Sequence, residues 1–160
     1  MLLLFRFLFA ILTSGLRRRI APLDSATVYF RALPQDCDLN FHLNAGRYVS
    51  FMDIARVELM SRMRVLRPVL QRGWRPIVGG ASISYRRSVM PFERFSVTSR
   101  VAAWDEKWFY IEHLVHKSDG ELAATGVMRT LLRGPQGNVA PRELLALLGM
   151  GDAESPEVPQ

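Results

Sequence analysis

The 160-residue chain has one cysteine, Cys37. A single thiol cannot close an internal disulfide, so the fold does not depend on an oxidising compartment. Cys37 could be a reactive thiol of its polar loop, but it reads more simply as a small loop or packing residue, since no other feature singles the thiol out. The three histidines, His42, His113 and His116, form neither H-x-x-x-H nor H-E-x-x-H. On a strand, His113 and His116 would point to opposite faces. No metal site is expected. A G-x-S-x-G elbow and a glycine-rich phosphate loop are both missing, which excludes the nucleophile and the phosphate cradle those motifs build. The acidic loop over residues 36–44 lacks the central glycine and closing glutamate of a calcium loop. No apolar run reaches the ~20 residues that a spanning helix needs.

Acidic residues are absent from residues 1–19, and this absence locates the net charge of +6. Of 21 basic residues, Arg6, Arg17, Arg18 and Arg19 lie there, leaving 17 against 15 acidic ones. The excess belongs to the N-terminal segment and not to a domain-wide basic face, so no nucleic-acid partner is expected. Residues 1–16 are almost wholly apolar, interrupted by Arg6. A secretory signal carries its charge before the apolar run, and here the cluster comes after it. That order predicts a segment dipping into a membrane, with the arginines at the anionic cytoplasmic surface. The expected location is cytoplasmic, at the inner face of the membrane. A terminal helix packed on the domain or on a partner is the competing reading.

What is present is one domain over residues 20–150, followed by a tail, 151–160, whose acids and prolines predict disorder. Residues 26–33 alternate as a strand that Pro34 ends. After a polar loop, Asn44 is a candidate N-cap. Tyr48, Met52, Ala55, Leu59 and Met63 then recur at helical spacing and predict a long helix with one apolar face. Glu58 and Arg62 are expected to pair on its outer side. From residue 76 the period becomes two. Strands are predicted over 77–89, 95–103, 108–117 and 121–133, running as an antiparallel meander, with a bulge at Gly79-Gly80 and a tight hairpin at Asp119-Gly120. A short helix is expected over 142–148. The fold class is therefore α+β: a curled five-stranded antiparallel sheet wrapped around one long central helix.

Chemistry concentrates in the loop. Asp36, Asp38, Asn40, His42 and Asn44 stand directly before the helix, whose first turn offers unpaired N–H groups and a positive dipole end. A carboxylate there can deprotonate water or attack an activated acyl carbon, while the helix amides stabilise the oxyanion. In such a loop an Asp is also a common turn former. His42 can orient the loop or touch substrate, or be a satisfied structural residue. Arg47, in the first turn, opposes the dipole and needs an anionic partner, either a carboxylate near Asp53 or a ligand group. Asp53 is most simply an intrahelical partner of Arg56. Arg62, Arg64, Arg67, Arg72 and Arg75 form a basic stretch, read as a solvated face or as an anion-binding rim.

The run D-x-D-x-N-x-H-x-N (Asp36 to Asn44), then Arg47-Tyr48 and F-M-D-x-A-R (Phe51 to Arg56), resembles the hotdog-fold acyl-CoA thioesterases of the 4-hydroxybenzoyl-CoA thioesterase type. It is most similar to the thioesterase-like branch that includes the THEM6-like proteins. Tyr85 to Ser88, Pro91-Phe92 and Trp104 to Tyr110 extend the resemblance, which covers roughly residues 28–133. It implies a hotdog domain that hydrolyses acyl-CoA, with coenzyme A as part of the substrate and no separate cofactor. It also implies a homodimer with interfacial sites, the further step to a tetramer being left open. The catalytic aspartate falls on Asp38, with His42 and Asn44 beside it. The oxyanion amide falls near Gly46, and substrate contacts fall on Arg47, Tyr48, Asp53 and Tyr85. Arg64, Arg67 and Arg72 are the candidates for the phosphates of coenzyme A. Where the family often has Gly before the histidine and a second Asn after Asn44, this chain has Phe41 and Ala45. A non-catalytic acyl-chain or acyl-CoA binding protein on the same fold is the alternative function.

Overall fold

A computed structural model describes residues 2–14 and 17–157. The centre is α2, Ala45–Arg62. All five residues of the predicted stripe are buried, and so are Phe51, Ile54, Arg56, Glu58 and Met60. A helix buried on nearly every side needs a cover on each of them. The sheet covers one side. The other is covered by α1, Leu2–Ser14, and by the segment after it. This overturns the expected outer pair. Glu58 does not face solvent: it is fully buried, 3.2 Å from Arg17, while Arg62 donates from Nε to the Arg18 carbonyl. Burial raises the Glu58 carboxyl pKa, against the pull of Arg17 and Arg62.

The sheet contains β1 (Ala26–Arg31), β2 (Arg75–Tyr85), β3 (Arg94–Trp104), β4 (Phe109–Lys117) and β5 (Leu122–Gly134), in the order β1-β3-β4-β5-β2. A short sixth strand, β6 (Gly137–Val139), pairs with β5 and was not foreseen. Only β3, β4 and β5 form a meander. The expected pairing of β2 with β3 is wrong: β2 joins the far side of β5, and β3 pairs with β1. The chain leaves β2 at Tyr85 instead of continuing to Val89, because Val89 is buried and its carbonyl accepts the Leu43 N–H. The segment thus closes over the start of α2. The turn at Met90 to Glu93 then delivers β3 to β1, where the Ala32 N–H donates to the Glu93 carbonyl. The bulge lies between Val78 and Gly80, and Gly120 has a φ of 88° in its hairpin.

Two apolar clusters fill the space between helix and sheet. Phe51, Met52 and Ala55 meet Phe95, Val97, Val115 and Met128 at one end. Leu59, Met60 and Met63 meet Phe109, Ile111 and Leu132 at the other. Each fully buried large side chain contributes roughly 1.5–3 kcal/mol. The second cluster is closed by α4, Pro141–Leu147, and by α3, Leu66–Gln71, through Val65, Val69, Leu144 and Leu145. The tail, expected to be disordered, lies against the domain as far as it is described. The Trp104 N–H donates to Ser155 Oγ at 2.7 Å, and Ala153 packs on the second cluster. Residues 158–160 of that expectation fall outside the described residues, as do Met1, Gly15 and Leu16 of the N-terminal one. No helix among the described residues is long and apolar enough to cross a membrane.

Candidate functional site

The loop before α2 is a clamped hairpin. Cys37 and Leu43 form an isolated antiparallel bridge, and the Asp38 N–H donates to the His42 carbonyl at 2.9 Å. Below the bridge, the Asn44 N–H donates to the Asp36 carbonyl at 2.9 Å. Asp36 joins three parts of the chain. Its Oδ2 accepts from the Leu33 N–H at 3.1 Å and from Arg6 Nη1 at 2.9 Å, and its Oδ1 lies 3.9 Å from Arg47 Nε. The partner of Arg47 is therefore Asp36, not a carboxylate near Asp53. Asp53 instead holds Arg56 at 3.0 Å. Asp36 had no role of its own in the sequence reading. Its position at the end of a single turn begun by Pro34 was the available signal.

Asp38 stands exposed on this frame. Its Oδ1 accepts from the Asn40 N–H at 2.9 Å and lies 3.5 Å from the His42 nitrogen, the geometry of an Asx turn. Its Oδ2 makes no hydrogen bond among the described residues and faces solvent. His42 is half-buried in the same hairpin. Leu39 and Phe41 project at the tip, 97% and 71% exposed. Phe41 has a φ of 55°, left-handed backbone that favours glycine. Burial raises the Cys37 thiol pKa, with Asp36 and Asp38 adding to the effect, so the thiol is no ready nucleophile.

The start of α2 completes the site. Asn44 caps it, with Oδ1 accepting the Gly46 N–H at 2.9 Å. The amide assigned to an oxyanion is thus held by the cap, and a substrate oxygen has to displace the Asn44 side chain to reach it. Tyr85, from the end of β2, donates its hydroxyl to the Ala45 carbonyl at 3.0 Å and meets Tyr48 edge-on at 5.2 Å between centroids. Burial, and then Tyr85, push the Tyr48 phenol up to about 12, with a backbone hydrogen bond at Val89 pulling the other way. Tyr48 therefore stays protonated near neutral pH.

Asp38, His42, Asn44, Gly46, Arg47, Tyr48 and Tyr85 are gathered at one end of α2. Asp53 lies farther along the helix, beside Arg56. Arg64, Arg67 and Arg72 are exposed around α3, at the other end of this 18-residue helix, about 27 Å away along its axis. Within one chain they do not meet Asp38. Among the described residues no group of His, Cys, Asp and Glu side chains could hold a metal ion.

A curled sheet around a central helix, with a polar hairpin at the helix start, is the architecture of the hotdog-fold thioesterases. YbaW, a probable thioesterase from Escherichia coli, superimposes with a TM-score of 0.71 at 18% identity, over 79% of this chain and 98% of that one. The SAV2348 protein from Staphylococcus aureus, solved in complex with CoA, gives 0.68 at 16% identity, over 90% and 93%. At those identities the likeness shows the fold. The sequence shows the family: the model of the thioesterase-like superfamily matches residues 32–158, and the chain belongs to that superfamily. Protein THEM6 of Danio rerio is 32% identical over 138 residues, 85% of this chain and 66% of that protein. Protein THEM6 of Xenopus laevis is 31% identical over 129 residues, 80% and 60%. The chain thus spans just under two thirds of the length of these curated relatives.

Proposed function

We propose that this domain hydrolyses acyl-CoA thioesters at the Asp38 hairpin. The observation that carries the reading is an exposed carboxylate on a clamped loop, directly before a capped helix start, in a chain of the thioesterase-like superfamily. The free Oδ2 of Asp38 takes a proton from water, and the water oxygen attacks the thioester carbonyl carbon. The oxyanion forms beside the first-turn amides of α2, where the helix dipole favours negative charge. Collapse expels the thiolate of coenzyme A, which receives the proton held by Asp38. A thioester carbonyl is activated enough for this without a serine or a metal. His42 and Asn44 belong to the same hairpin as Asp38, and Tyr85 fixes the helix entrance from β2.

The proposed assembly is a homodimer. β2 is an 11-residue strand paired with β5 on one side only, at the edge of the sheet, so a second copy can continue the sheet there. Antiparallel pairing would bring the Arg75 end of one β2 beside the Tyr85 end of the other, and so the arginines of one chain toward the hairpin of its partner. A second reading, an acyl-CoA binding protein without turnover, is favoured by one observation: the Gly46 N–H is already taken by Asn44. Acyl-CoAs of graded length, assayed with the wild type and Asp38→Asn, separate the two. Hydrolysis is expected to fall by about 10²–10⁴ in the variant, the usual weight of a positioned general base. Saturable binding with no turnover by wild type supports the second reading. Equal turnover by both proteins removes Asp38 from the mechanism.

A further inference from the structure

The single charge inside the apolar N-terminal run explains which way that run faces. Arg6 turns inward, donating to Asp36 and to the Arg31 carbonyl, with its guanidinium 5.0 Å from the Phe51 ring centroid. Phe7 packs on the core beside it. At 100° per residue, Leu4, Phe5, Leu8, Phe9 and Leu12 fall within an arc of about 140° on the opposite side. All five are 47% to 75% exposed. The usual amphipathic arrangement is reversed, with charge toward the protein and apolar side chains outward. Five adjacent large apolar groups in water are a surface waiting for an occupant.

The surroundings say which occupant. No acidic residue precedes Asp24, and Arg18 and Arg19 follow the helix with exposed side chains. A groove beside the helix is lined by Arg6, Phe9, Arg17, Tyr29, Arg31 and Leu33; Arg6 and Arg17 are already paired with Asp36 and Glu58, which leaves Arg31, with Arg18 and Arg19, as the cations offered to a headgroup. Tyr29 is 80% exposed there. Arginines and a tyrosine bordering an outward apolar stripe match the layering of a bilayer surface, with acyl chains under the stripe and phosphates along the arginines.

We propose that α1 is an in-plane anchor for an anionic lipid surface, and that it stays clasped to the domain through Arg6 and Asp36 while bound. The 13-residue helix, about 20 Å long, lies flat instead of spanning. Because Asp36 also holds the Leu33 and Asn44 ends of the hairpin, docking presents that hairpin beside the lipid face. The inference stands whether or not Asp38 supports turnover.

The test mixes the full chain with vesicles of phosphatidylcholine, alone or with phosphatidylserine, and follows sedimentation and hydrogen exchange. Wild type is expected to bind the anionic vesicles and to release with salt. Phe5→Ser with Phe9→Ser should weaken binding about tenfold or more, and Arg18→Gln with Arg19→Gln should weaken it on anionic vesicles only. The circular dichroism of each variant should match wild type, since all four side chains are exposed. The Leu33 and Asn44 amides should stay protected on the vesicle. No binding by wild type overturns the proposal. So does an oligomer that only the Phe5→Ser and Phe9→Ser variant dissolves, because the stripe would then be a protein interface. Loss of protection at Leu33 and Asn44 on binding, to the level of Arg6→Leu in solution, overturns the clasped orientation.

Discussion

Between pH 7.5 and pH 5 the domain should lose stability through one buried imidazole. His113 sits on β4 under the middle of α2, with no solvent exposure. Its Nδ1 shares a 2.7 Å hydrogen bond with Ser99 Oγ, and its Nε2 has no hydrogen-bond partner among the described residues. Burial, and then the nearby Arg56 cation, lower its pKa from 6.5 to about 3. The folded protein therefore keeps His113 neutral where the unfolded chain would protonate it. Below pH 6.5 the unfolded state binds more protons, so stability falls with pH until about pH 3, where the folded state also titrates. At pH 5 the window already entered is about 1.5 units, or ~2 kcal/mol at 1.36 kcal/mol per unit. Urea unfolding at the two pH values measures the loss together with that of every other group whose proton binding changes there. The comparison is therefore with His113→Asn, which keeps a hydrogen bond to Ser99 and carries no titration. Wild type should lose ~2 kcal/mol more than the variant. Parallel losses would refute the reasoning, as would an NMR titration of the His113 ring with a midpoint near 6.5.

Two further substitutions test packing and backbone. A methyl at Gly79 would overlap the Trp108 ring, which Lys107 and Arg129 flank with cations 5.0 and 5.2 Å from its centroid. Gly79→Ala should therefore cost about 1–3 kcal/mol by urea unfolding, and a change within about 0.5 kcal/mol would mean that the ring moves freely. Phe41→Gly should raise stability by about 1 kcal/mol, because the φ of 55° penalises a side chain there and the ring is exposed. A loss of stability on that change would show that the Phe41 ring makes a contact in solution.

Local patterns carried far in this chain. The stripe from Tyr48 to Met63, the Asn44 cap, the Gly79-Gly80 bulge and the Asp53–Arg56 pair all depend on residues within a turn or two of each other, and each was legible. What stayed hidden depends on distant segments meeting. Glu58 is spaced for a surface pair with Arg62, yet Arg17 and the following residues cover it. The alternation in β2 reveals a strand but not that its neighbour is β5. Arg47 plainly lacked a partner, but Asp36 reaches it only because the hairpin folds back. The site was half legible for the same reason. The polar loop and helix start are contiguous in sequence, whereas Tyr85 at the helix entrance and Arg6 beneath the loop come from 40 and 30 residues away from the groups they bond.

The hairpin has a consequence for how such a site can diversify. Its stem is fixed three times over, by the Asp36–Asn44 hydrogen bond, the Cys37–Leu43 bridge and the Leu43–Val89 hydrogen bond. Its tip, Leu39 to Phe41, is exposed, and it is tied to the stem by hydrogen bonds from the Asn40 and Phe41 N–H groups to Asp38 and by the left-handed backbone at Phe41. Residues at the tip can thus change size and polarity next to Asp38 with little effect on folding. The stem behaves as a socket and the tip as an exchangeable fitting, so if the hairpin acts as proposed, selectivity could be retuned by a few neighbouring codons while the carboxylate stays in place.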